Sequence, residues 1–163
     1  MARRGRSSIV REVKESIDLL DKIGQSKRSA KSTNTHGIHS KKQKENALSD
    51  CQNFVKWCRS EFGVKSIADL TSKHYNAYID DMRQRGLSEG HRINVETSLR
   101  ILEKGFRARC ERFEVGPDRF IGFCPEKRIE TRTRGLDVRN RTYSEREVQL
   151  IRENSSEEVQ KAI

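Results

Sequence analysis

Proline is nearly missing from this chain of 163 residues, which has only Pro117 and Pro125. With so few helix breakers, and no alternation of apolar and polar residues beyond a few positions, helix is the default expectation. Hydrophobic residues are also scarce, at 33% against 36% charged. The core must therefore be lean, and some segments are expected to have none. No apolar run approaches membrane-spanning length and no secretory segment follows Met1, so the chain is expected to be cytoplasmic. The four cysteines, Cys51, Cys58, Cys110 and Cys124, include no CxxC pair, which removes the usual zinc and redox frameworks. Cys51 and Cys58 share an apolar helical face, where reduced cysteine packs as a small hydrophobe. His36 and His39 have no Cys or acidic neighbour to complete a metal site. There is no GxGxxG, P-loop or HExxH, and no nucleophile with an evident base, so neither cofactor nor metal is called for. Asp80 and Asp81 read as a solvated helix face.

Acidic residues are outnumbered 24 to 34 by Lys and Arg, a formal charge of +10. An excess this large favours a polyanionic partner, nucleic acid first. A membrane surface would need a basic amphipathic helix, and only Ile9–Ile23 resembles one. Glu12, Glu15, Asp18 and Asp21 interrupt it, so no membrane partner is expected.

The charge is unevenly spread, with 12 Lys/Arg against 4 Asp/Glu in residues 1–44. In that stretch Ile9, Val10, Val13, Ile17, Leu20 and Ile23 outline a helix ended by Gly24, and a Ser/Lys/Thr/Asn-rich linker follows to about Ser40. This helix has no evident core of its own and needs a partner surface, in this molecule or in another copy. Docking on a neighbouring subunit is favoured over added DNA contacts, and deleting residues 1–40 should leave the bundle folded. Ala47, Leu48, Cys51, Phe54, Val55, Cys58 and Phe62 make the stripe of a second helix, stopped by Gly63. Thr71 or Ser72 caps a third, whose buried side is Tyr75, Tyr78, Ile79 and Met82. Gly86 closes it, and Ser88 caps a long fourth helix to about Phe113, with Val95, Leu99, Leu102 and Phe106 on one face. The segment around Phe120–Cys124 is expected to pack back on the bundle. Residues 127–141 hold 6 Lys/Arg against 2 Asp/Glu without amphipathic period and read as an extended basic linker. Ser144 and Glu147 then have capping-box spacing, and another helix begins near Ser155. The expected organisation is a basic helix and linker (1–40), a helical bundle (41–126), a basic linker (127–142) and the start of a second domain (143–163).

A single basic cluster is most simply a solvated face. Three clusters, on the N-terminal arm, the outer face of the 88–113 helix and the 127–141 linker, instead suit a body that wraps a duplex. Lys41, Lys42, Arg85, Arg100, Lys104, Arg132, Arg134, Arg139 and Arg141 are the expected phosphate contacts. Ser88, His91, Arg92 and Asn94 sit in the first turns of a helix, where backbone N–H groups and the dipole favour a phosphate, and Asn and Arg can also read base edges.

The order of "FVKWCRSEFGVKSIADLT", "YNAYIDDMRQRGLSEGHRINVETSLRILEKGF" and "RTYSEREVQLIREN" resembles tyrosine recombinases of the phage-integrase family. The shared pattern is an aromatic-rich helix, a Leu-Thr connection, a tyrosine-bearing helix, Gly-Leu-Ser, and a long helix with a Leu-Glu-Lys-Gly phrase. Residues 41–113 resemble the core-binding domain, and residues 141–154 resemble the entry to the catalytic domain. The resemblance implies a four-helix, SAM-like bundle forming one jaw of a clamp on attachment-site DNA, working within a recombinase tetramer. In the family, an Arg–Lys–His–Arg–Tyr set cleaves the strand. None of these residues is placed here, and Tyr75, Tyr78 and Tyr143 lack the nucleophile's context, so the chain is expected to be cut before the first catalytic arginine. A stand-alone helical DNA-binding regulator and a protein-interaction module with an incidental basic surface are the competing readings.

Overall fold

The computed structural model describes residues 8–26, 28, 37–113, 122–131 and 144–154. Among them the chain is all-α. The helices are α1 (Ile9–Asp18), α2 (Lys41–Phe62), α3 (Ser72–Gln84), α4 (Glu89–Arg112) and α5 (Glu145–Asn154), with a 3-10 turn at Ile67–Asp69. The chain divides into two compact units, Met1–Arg132 and Thr133–Ile163.

Side-chain chemistry sets the helix boundaries. Ser40 Oγ accepts from the Gln43 N–H at the start of α2, and Gly63, at φ 69°, ends it in the left-handed region. Thr71 and His74 form a reciprocal capping box at α3, the Thr71 N–H donating to His74 Nδ1 at 3.0 Å. Gly86, at φ 71°, turns the chain, and Ser88 then caps α4 through the His91 N–H at 3.3 Å.

α4 is central. Val95, Leu99, Leu102 and Phe106 are buried against Cys51, Phe54, Val55 and Cys58 of α2 and Tyr75, Tyr78, Ile79 and Met82 of α3. Phe54 lies against Tyr78 with ring centroids 5.2 Å apart. Phe62, expected on the apolar stripe of α2, is half exposed and rests on Trp57 and His74. Burial pushes the Cys51 and Cys124 thiols well up and Cys58 to about 12, so these cysteines pack as the sequence predicts.

The N-terminal helix overturns an expectation. Its apolar stripe is not left for a neighbouring subunit: Ile9, Val13 and Ile17 are fully buried within this chain, where α1 packs on both α2 and α4. Polar fasteners surround that seam. Lys44 Nζ of α2 lies 2.7 Å from both Asp18 and Asp21. Glu12 accepts from the Ile67 N–H at 2.9 Å, and Arg109 of α4 reaches Glu15 at 3.0 Å. Residue 40 therefore marks no boundary between compact units. The helix also stops at Asp18 instead of continuing to Ile23. Residues 20–22 take an extended path beside Ile38, whose N–H donates to the Leu20 carbonyl at 2.7 Å and whose carbonyl accepts from Lys22 at 2.8 Å. The exchange satisfies backbone groups of both segments and buries Ile38.

α1 approaches α4 at Gly105, where an added Cβ would lie 2.3 Å from the Ser16 carbonyl oxygen. That contact involves backbone, so it cannot be relieved by a rotamer. Gly105→Ala should therefore reach or exceed the upper end of the ~1–3 kcal/mol range for overpacking, read as a lowered denaturant midpoint. An unchanged midpoint would show that the two helices separate without penalty.

Residues 122–131 form an irregular strap lying along α4. Phe123 is fully buried and stacks on Phe54 at 5.9 Å, and Cys124 and Ile129 pack against the core. Residues 127–131 thus belong to the bundle and not to a free linker. In the second unit Ser144 and Glu147 close the expected capping box, with the Ser144 N–H donating to Glu147 at 2.8 Å. The helix expected from Ser155 lies outside the described residues.

Candidate nucleic-acid interface

Cys51 Sγ lies 3.2 Å from the Ser98 carbonyl. Lys44 is tied to Asp21, whose neighbour Leu20 faces Gly105. Higher numbers on α2 thus meet lower numbers on α4, and the two helices run antiparallel. Between them lies an open groove of about 530 Å³. Lys42, Asn46 and Ser49 line its α2 wall, and His91, Asn94 and Thr97 line its α4 wall. Its polar floor is fixed by Ser98 Oγ donating to Asp50 at 2.7 Å. A second pocket, about 370 Å³, adjoins it at Thr97 and Ile101 and continues along α4 under the strap.

The residues singled out in the sequence fall into distinct environments. Lys42, His91, Asn94 and Lys104 are exposed along this furrow, and Lys41 is exposed at the start of α2. None of the three lysines makes an ion pair among the described residues. Ser88 serves as the cap of α4. Arg85 pairs with Asp81 at 2.8 Å at the end of α3 and does not line the groove. Arg132, Arg134, Arg139 and Arg141 lie outside the described residues, as does His36. His39 Nδ1 is 3.0 Å from the Gln25 carbonyl.

Arg92 and Arg100 differ from the expected open cationic face. Arg92 Nε lies 2.8 Å and its Nη2 3.3 Å from Glu130, while Nη1 donates to the Leu87 carbonyl. Its three nitrogens are engaged inside the molecule, and its side chain is only 17% exposed. Arg100 Nη2 donates to the Pro125 carbonyl at 2.7 Å. Both hold the strap. The sequence showed their charge but not the buried acids that receive or accompany them.

Those acids complete the fastening. Glu96, fully buried, accepts from Tyr75 Oη at 2.7 Å and from the N–H groups of Ile129 and Glu130, each at 3.0 Å. Glu103 accepts from the Phe123 and Cys124 N–H groups at 2.9 and 2.6 Å. Glu130 bridges Arg92 and Arg83, each at 2.8 Å. Hydrogen bonding from Arg92, and then from Arg83, holds the Glu130 carboxyl below its ordinary range against the effect of burial. A depressed folded value adds stability above the unfolded carboxylate pKa of about 4.3, and that stability is lost as pH falls through the folded value. Amide exchange at Ile129 and Glu130 should stay slow at pH 5 and accelerate, relative to core amides of α4, only under more acid conditions. Release near neutral pH would contradict this assignment.

No known family, curated protein or solved structure matches the chain. Function is therefore argued from this surface alone. Among the described residues no helix is long and apolar enough to cross a membrane, and no group of three or more His, Cys, Asp or Glu could hold a metal ion. What the furrow offers is hydrogen-bonding side chains on two helices beside lysines whose charges are not locally cancelled.

Proposed function

We propose that this chain is the DNA-binding portion of a site-specific recombinase of the tyrosine family. It would hold duplex attachment-site DNA in the nucleoid, alongside other recombinase subunits, for strand exchange by a catalytic domain. The observation that carries the binding half of this reading is the groove between α2 and α4. Asn46, Ser49 and Asn94 present donors and acceptors suited to base edges, and Lys41, Lys42 and Lys104 present charges suited to phosphates. The recombinase half rests on the order of sequence phrases from Phe54 to Phe106. Subunit contacts would use a surface other than the buried stripe of α1.

Duplex binding should weaken steeply with salt, with a slope corresponding to several released counterions. A flat response would end the DNA reading. Within that binding, Lys42→Ala should weaken all duplexes alike and lower the salt slope by about 1. Asn94→Ala should relax discrimination between sequences, costing about 1–3 kcal/mol at the preferred site, measured by competition with unrelated duplex.

A further inference from the structure

The pocket under the strap is a different kind of site from the groove between α2 and α4. One wall is α4, with Thr97, Arg100 and Lys104, and the other is the strap, with Arg128. Arg128 Nη1 donates to Thr97 Oγ1 at 3.1 Å, which brings a strap cation onto the rim of the α4 furrow. Arg100 is held by the Pro125 carbonyl through Nη2, while its buried Nε has no hydrogen-bond partner. Lys104 is exposed. The acid beside them, Glu103, is committed to the strap amides of Phe123 and Cys124 and to Arg107 at 3.5 Å. Glu126 is on the exposed edge. Three cations thus border one small open pocket.

We propose that this pocket binds a phosphate group through Arg100, Lys104 and Arg128, and that on a duplex the group is a backbone phosphodiester. The proposal deepens the DNA-binding reading and rests on it for the source of the phosphate. Two cations come from α4 and one from the strap, so the site is assembled only while Glu96 and Glu103 hold the strap down. Planar guanidinium groups and an ammonium suit tetrahedral phosphate oxygens, and nothing in the pocket reads a base. Its contribution is to hold register along the duplex, leaving sequence discrimination to the α2–α4 groove.

Lys104→Ala and Arg128→Ala are the informative variants, because both side chains are exposed and neither should alter the thermal midpoint appreciably. Each should lower the slope of log K against log salt by about 0.9 on specific and unrelated duplexes alike. The ratio between those duplexes should stay unchanged. Lys73→Ala, an exposed lysine that lines neither pocket, is the control. Unchanged slopes for Lys104→Ala and Arg128→Ala would overturn the site while leaving DNA binding itself standing, and so would an equal fall for Lys73→Ala. If the unaltered chain does not bind duplex, the DNA reading fails instead. Titration with inorganic phosphate, followed by the Arg100 and Arg128 side-chain resonances, then decides the pocket. Saturable shifts that disappear in Lys104→Ala support a site for a small phosphorylated ligand, and absence of shifts overturns it.

Discussion

Deletion of residues 1–26 should abolish cooperative folding of the bundle. The segment carries Ile9, Val13 and Ile17, all fully buried between α2 and α4. At about 1.5–3 kcal/mol for each buried aliphatic side chain, roughly 5–9 kcal/mol of burial is lost. That is comparable with the whole stability of a small domain, about 5–15 kcal/mol. The deletion also uncovers Ile38, which pairs with Leu20 and Lys22. It removes both carboxylates that hold Lys44 and the one that accepts the Ile67 N–H. The expected result is a broad thermal transition and reduced helicity by far-ultraviolet circular dichroism. A truncated chain that still melts sharply would restore the view of α1 as an appendage.

Glu96→Ala should be the most damaging single polar substitution, destabilising the first unit by about 3–5 kcal/mol, since it takes the acceptor from three donors at once and leaves a buried one unsatisfied. Its carboxylate is the common acceptor for Tyr75 Oη and two strap amides. Hydrogen bonds to a charged group are each worth about 1.5–3 kcal/mol, but the strap amides can regain water by lifting away. The buried Tyr75 hydroxyl cannot follow them as readily. Denaturation should report the stability loss, and exchange at Ile129 and Glu130 should rise more than exchange in the centre of α2. Uniform acceleration everywhere would mean that Glu96 supports the whole core and not the strap in particular. Arg92→Ala should produce a milder form of the same pattern, because Arg83 still pairs with Glu130. A double Arg92→Ala, Arg100→Ala variant would consequently mix lost folding with any lost DNA binding.

The helices were readable because their signals are local. Gly63, Thr71, Gly86 and Ser88 act within a few residues of themselves, and the stripes of α2, α3 and α4 repeat at helical spacing. The role of α1 was not readable. An amphipathic stripe states that something covers it, while the covering surface here comes from α2 and α4, far along the chain. The site was half legible for a related reason. Lys42, His91 and Asn94 are exposed polar residues, as their types suggest, and the structure places them around one groove. Arg92, Glu96, Arg100 and Glu103, spaced at three and four, look in sequence like an alternating charged face open to water. Only the return of Phe123 and Glu130 across that face turns it into an interior. Burial of Glu96 has no signature in its neighbours, since its three donors lie 21, 33 and 34 residues away.

The close crossing at Gly105 ties two distant parts of the chain together in descent. A lineage that keeps the N-terminal helix in this seat must keep a residue without Cβ at that position, and one that sheds the helix is released from the requirement. The glycine of the Leu-Glu-Lys-Gly phrase would then serve as a marker: among diverging relatives, it and the stripe from Ile9 to Ile17 should be inherited, or lost, as a pair.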